Sequence, residues 1–171
     1  MRALTLRQPW AWMVVHGNKF IENRVWTTKF RGEFLIHAAK GMTREEYQVA
    51  LDFAYGVQPE LRTFAIIGSE ALGGPWSKFI PDFEDLERGG IVGRATLKDV
   101  LDPPKEQMGW QHGWRMEGQF GFVLENIRPV PFIPCRGNRR WWNYDSCTTC
   151  GALTRVEGSV CSNAWHVKEV A

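Results

Sequence analysis

The chain has 171 residues, 44% of them hydrophobic and 23% charged, with a net charge of +2. Area scaling has a chain of this size bury roughly 70% of its surface on folding, enough for a core without disulfide staples. The composition excludes a disordered chain, collagen and a coiled coil, and the longest apolar run, Trp10 to Val15, is far short of a membrane span. Met1-Arg2 is not followed by a signal-like apolar stretch, so the expected compartment is the cytoplasm.

In chain order, Leu4 and Leu6 alternate with Thr5 and Arg7 as a short strand. Gln8-Pro9 opens a very apolar helix, with Pro9 near its first position and Gly17 as its C′ stop. A second strand is expected over Phe20 to Trp26 and a third over Glu33 to Ala38. Thr43-x-x-Glu46 is a capping box that starts a helix running to about Tyr55. Residues 56–90 are rich in Gly and Pro and read as an insertion or lid, with one short helix around 82–88. Ile91 to Val100 is a strand with Gly93 as a bulge, and Phe120 to Glu125 alternates as another. Arg128 to Pro134 holds three prolines and suits only an edge or an extended connector. Trp141 to Tyr144 is the closing strand. Strands with irregular connections and two or three helices predict an α+β fold built on a small barrel. No glycine-rich phosphate loop argues for a nucleotide-binding α/β fold.

Charge is uneven. Residues 1–40 carry seven basic residues (Arg2, Arg7, Lys19, Arg24, Lys29, Arg31, Lys40) against Glu22 and Glu33, a net of +5. A second cluster, Arg128, Arg136, Arg139 and Arg140, has no acid within residues 126–144. Such clusters suit a polyanion, or else a solvated surface face. Nine Trp supply core anchors and, at one or two positions, platforms for a flat ligand. Arg136, Arg139 and Arg140 beside Trp141-Trp142 combine phosphate-neutralising and base-stacking residue types.

Lys19-x-x-Glu22-x-Arg24 follows the Gly17 turn, and Glu22 and Arg24 share one face of the second strand. An ammonium beside a carboxylate can bind an anion, polarise a carbonyl or move a proton; the alternative is a structural ion pair. Lys19 is expected in the turn, free to point into a cleft. Trp10 is read as the first helix's core anchor before a stacking platform. His37, between apolar neighbours, is read as a satisfied core histidine.

Leu4-Thr-Leu-Arg-Gln-Pro-Trp-Ala-Trp12 with Gly17-Asn-Lys-Phe-Ile-Glu-Asn-Arg24 resembles the opening of ASCH domains, members of the PUA-like superfamily. Phe30-Arg-Gly-Glu-Phe-Leu-Ile-His-Ala38, Ile91-Val-Gly-Arg-Ala95, Phe120-Gly-Phe-Val-Leu-Glu-Asn126 and Pro134-Cys-Arg-Gly137 through Trp141 are similar to later segments of that family. The resemblance implies a PUA-like β-pseudo-barrel with flanking helices over residues 1–144, within which 43–90 is a variable insertion. It implies a cleft beside the first helix that binds RNA or a modified nucleoside, with Gln8, Trp10 and Arg24 at or near it. It also admits a small amidohydrolase acting on N4-acylated cytidine, or a ribonuclease. The family's amidohydrolases act through a Lys, a Thr three positions later and a distant Glu. Lys19 matches the Lys, Glu22 stands at the Thr position, and Glu106 and Glu117 both fall in the interval of the distant Glu. Lys19 and Glu22 are therefore the candidate catalytic pair.

Composition changes at Asp145. Cys147-x2-Cys150-x10-Cys161-x4-His166 supplies four ligands of the kind a structural zinc needs, and Gly151 follows the first pair as in a zinc knuckle. Residues 145–171 are expected to form a small zinc-stabilised appendage. Cys135 is an alternative fourth ligand, and free or redox-active thiols are the alternative to zinc.

Overall fold

The computed structural model describes residues 1–58, 80–104 and 113–144. Six strands and two helices follow in the order β1 (Arg2–Leu6), α1 (Trp10–His16), β2 (Ile21–Arg24), β3 (Gly32–Ala38), α2 (Arg44–Val57), β4 (Gly90–Leu101), β5 (Phe120–Pro134) and β6 (Trp141–Asn143). They form one sheet in the order β2-β5-β4-β3-β1-β6, parallel between β1 and β3 and otherwise antiparallel.

The sheet is curled. At about 4.8 Å per step, a flat six-stranded sheet would hold its edges roughly 24 Å apart. Yet Trp26, just past edge strand β2, meets Trp141 of edge strand β6 with ring centroids 6.3 Å apart. Arg24 of β2 also donates to the Thr5 carbonyl of β1 at 2.7 Å. The expected pseudo-barrel is therefore present as a half-barrel whose edges close on each other through side chains.

Apolar alternation fills the curl. Leu4, Leu6, Phe34, Ile36, Ala95, Leu97, Phe122 and Leu124 meet Ala11 and Val14 of α1 inside it. Strand β3 is buried on both faces, since Leu35 packs outward with Ala3, Ile91 and Tyr144. That explains its unbroken apolar run. A second cluster joins Met13 of α1, Ile21, Trp114 and the α2 residues Ala50, Leu51 and Ala54. Thus α2, expected inside a variable segment, packs on the core.

Local chemistry sets the element ends. The Thr43–Glu46 capping box forms in both directions, and α2 runs slightly past its expected end at Tyr55. Pro9 is the N-cap of α1 and not its first helical residue, and Gln8 Oε1 accepts the Trp12 N–H at 3.0 Å. The left-handed turn after α1 belongs to Asn18 (φ 54°), one residue past Gly17. Asparagine tolerates that conformation, and a Cβ on Gly17 would lie 3.0 Å from the Met13 backbone. Gly93 sits at an irregularity of β4, as expected. A Cβ there would lie 2.6 Å from Val15, so this glycine lets α1 press onto the sheet. The residues around 82–88 form a turn closed by Asp85 N–H to Asp82 O, where a helix was expected.

Strand β5 joins two expected segments into one. Beyond Leu124, whose N–H still donates to the Phe20 carbonyl, it pairs only with β4, so Pro129, Pro131 and Pro134 can lie where donors are dispensable. Among the described residues no helix is long and apolar enough to cross a membrane.

A candidate nucleic-acid pocket at the closing seam

Where the sheet edges meet, a pocket of about 540 Å³ opens, lined by Thr5, Arg7, Trp10, Glu22, Arg24, Trp26, Ala39, Asn138, Arg139 and Arg140. Four elements build it. The end of β1 supplies Thr5 and Arg7, and the start of α1 supplies Trp10. Strand β2 and its exit supply Glu22, Arg24 and Trp26, and the turn before β6 supplies Asn138, Arg139 and Arg140. The first turn of α1 borders the pocket through Trp10.

Glu22 is central to the electrostatics. It is 7% exposed, and its two carboxylate oxygens face different cations. Oε2 accepts from Lys19 Nζ at 2.8 Å, and Oε1 lies 3.2 Å from the Arg24 guanidinium. Lys19 was expected free in a turn; it is 1% exposed, with Nζ also donating to the Ile21 carbonyl and 5.5 Å from the Trp10 ring centroid. Burial pulls the Lys19 pKa below its ordinary value, and the Glu22 charge opposes that pull. Lys19 is thus the inward side of the constellation, and Glu22 and Arg24 are the side that lines the pocket.

The remaining cations differ in freedom. Arg7 is paired with Glu46 of the α2 cap, which fixes the pocket rim to that helix. Arg139 and Arg140 are exposed and have no ion-pair partner among the described residues. Arg140 lies over the Trp26 ring, 5.8 Å from its centroid. Trp10 both lines the pocket and packs edge-on against Phe53, 5.6 Å away.

Other candidates lie elsewhere. Gln8 is buried, binds the Glu87 carbonyl and the α1 N-terminus, and does not line the pocket. Arg136 is exposed outside it. Glu117 is exposed and also outside it, while Glu106 falls beyond the described residues. His37 is buried, with Nε2 3.2 Å from the Cys135 carbonyl. Burial lowers its pKa, which agrees with a neutral core imidazole. Cys147, Cys150, Cys161 and His166 all lie outside the described residues. Among the described residues no group of His, Cys, Asp and Glu could hold a metal ion.

Sequence reasoning did not single out Thr5, Arg7, Trp26, Ala39 or Asn138 for this site. Trp26 was within reach: Glu22, Arg24 and Trp26 alternate, and a strand places all three on one face.

Comparison with known proteins agrees with this architecture. The chain is 28% identical over 152 residues to activating signal cointegrator 1 of Mus musculus, and over 153 residues to that of Homo sapiens. Each match covers 87% of this chain but 23% of the relative, so the chain spans about a quarter of those proteins. A family model for the ASCH domain, a domain generally of RNA-binding type, matches residues 4–142. The chain belongs to the ASCH domain family.

Proposed function

We propose that this chain binds single-stranded RNA and holds one nucleotide, ordinary or modified, in the seam pocket. The observation that carries the reading is the convergence of four arginines and two tryptophans around a space of about 540 Å³. Rings cover the flat face of a base, and guanidinium forks match phosphate oxygens. Arg139 and Arg140 are the phosphate contacts, because Arg7 and Arg24 already have carboxylate partners. Trp10 and Trp26 are the walls, and Glu22 offers an acceptor to a base edge carrying N–H groups.

The geometry supports binding over amide hydrolysis by Lys19. Lys19 Nζ is enclosed and does not line the pocket, so a nucleophilic role requires the Lys19–Glu22 pair to open. Incubation with N4-acetylcytidine and with RNA, followed by mass analysis, separates the readings: a reader returns both substrates unchanged.

The binding test is fluorescence anisotropy on a labelled RNA octamer across a salt series. Each phosphate contact on a single strand contributes about 0.7 to the log–log salt slope. Replacing Arg139 and Arg140 together with Ala should therefore flatten it by roughly 1.4. Absence of wild-type binding at low salt refutes the reading.

A further inference from the structure

Beyond the pocket rim, the closing seam continues along β1 and β6. Trp141 donates its indole N–H to Thr28 Oγ1 at 3.1 Å and packs on Phe30 at 4.7 Å. The next contact is Arg2, whose guanidinium lies 4.8 Å above the Phe30 ring. Arg2 is exposed and has no ion-pair partner among the described residues. Lys29, beside Phe30, is exposed and equally unpaired among them. Arg140 over Trp26 and Arg2 over Phe30 thus repeat one arrangement at two points of the same seam.

We propose that this strip is a second phosphate-binding subsite, in which Arg2 and Lys29 hold the backbone of a single-stranded RNA that leaves the seam pocket past Arg140. The proposal rests on the pocket reading and extends it from one nucleotide to a short strand. The stacked guanidinium presents its N–H edge while the ring limits its rotamers, so less freedom is lost on meeting a phosphate. A continuous line of ring contacts joins the two points: Arg2 lies on Phe30, Phe30 against Trp141, Trp141 against Trp26, and Trp26 under Arg140. Among the described residues neither Arg2 nor Lys29 is ion-paired, whereas nearby Arg31 is already engaged by Asp99 and two loop carbonyls.

The experiment compares an RNA octamer with the four ribonucleoside monophosphates, using the full chain and the variants Arg2→Ala/Lys29→Ala, Arg2→Lys, Arg139→Ala/Arg140→Ala and Lys98→Ala. Lys98 is a charge control, since it pairs with Glu125 and lies off the seam. The double Arg2/Lys29 variant should lose about tenfold in octamer affinity at low salt. Its salt slope should fall by about 1.4, with monophosphate binding unchanged. Arg2→Lys should keep the wild-type slope, and Lys98→Ala should leave affinity and slope unchanged. If the octamer depends on Arg139 and Arg140 but its slope is indifferent to Arg2 and Lys29, the subsite is refuted and the pocket reading stands. If wild type binds neither probe, both fall.

Discussion

Replacing Glu22 with Gln should destabilise the fold more than replacing Lys19 with Met, although the two side chains form one ion pair. The asymmetry comes from the third member. Without Lys19, Glu22 keeps Arg24 at 3.2 Å and a path to the pocket. Without the Glu22 charge, Lys19 remains 1% exposed with only the Ile21 carbonyl and the Trp10 face. Removing one partner of a buried pair costs about 3–5 kcal/mol, and the amide oxygen left by Gln places this case near 3. At about 2–4 °C per kcal/mol for a chain of this size, the melting temperature should fall by roughly 6–12 °C. Lys19→Met should cost about 1–2 kcal/mol, and the double variant should be more stable than Glu22→Gln alone. Protons supply an independent check. The folded pKa of Lys19 is lowered below 10.5, so between the two values the unfolded chain binds more protons and stability rises with pH. Loss of Glu22 removes the main opposing attraction and widens that window downward. Urea unfolding from pH 7 to 10 should therefore show Glu22→Gln recovering stability relative to the double variant. Equal costs for the two single variants, or a Glu22→Gln cost within about 0.5 kcal/mol of zero, would refute the argument.

Gly137→Ala should perturb binding and stability together. Its Cβ would fall 2.3 Å from His37 Cε1 and 2.9 Å from Thr5 Oγ1, so the turn carrying Asn138, Arg139 and Arg140 must lift. A loss of about 1–3 kcal/mol by urea unfolding is expected, with weaker octamer binding; a neutral result in both assays removes the turn from the account. For the C-terminal tail, four ligands at Cys147, Cys150, Cys161 and His166 predict about one equivalent of zinc in protein purified without chelator. Elemental analysis finding none would overturn that assignment.

The fold was legible where pattern and burial coincide. Strand β3 and the β4 core read as strands because their apolar runs face packed neighbours, and α2 announced itself through Thr43 and Glu46. Legibility failed where tertiary pairing overrides local signals. The three prolines of Arg128–Pro134 restrict it to an edge or an extended connector, and it is an edge that pairs with β4 alone; its continuity with Phe120–Glu125 is what local signals do not carry. Gly17 marks the stop of α1, and packing against the Met13 backbone reserves that position for glycine, but no local signal shows that the left-handed turn falls on Asn18.

The site was half legible for a related reason. Spacing alone puts Lys19 within reach of Glu22, and strand alternation puts Glu22 and Arg24 on one face, as found. What spacing does not carry is which member meets solvent. That depends on α1, since the Lys19 N–H is tied back to the Met13 carbonyl and Trp10 lies against the ammonium. A lysine tethered so closely to a helix end turns inward, and its carboxylate partner becomes the group that lines the pocket. The pocket's chemistry follows from that inversion. Lys19 supports the orientation of Glu22, Arg24 links the pair to the β1 carbonyl at Thr5, and among the described residues the pocket-lining cations without an ion-pair partner are Arg139 and Arg140. Affinity should accordingly depend on Arg139 and Arg140, while Lys19 should act on stability.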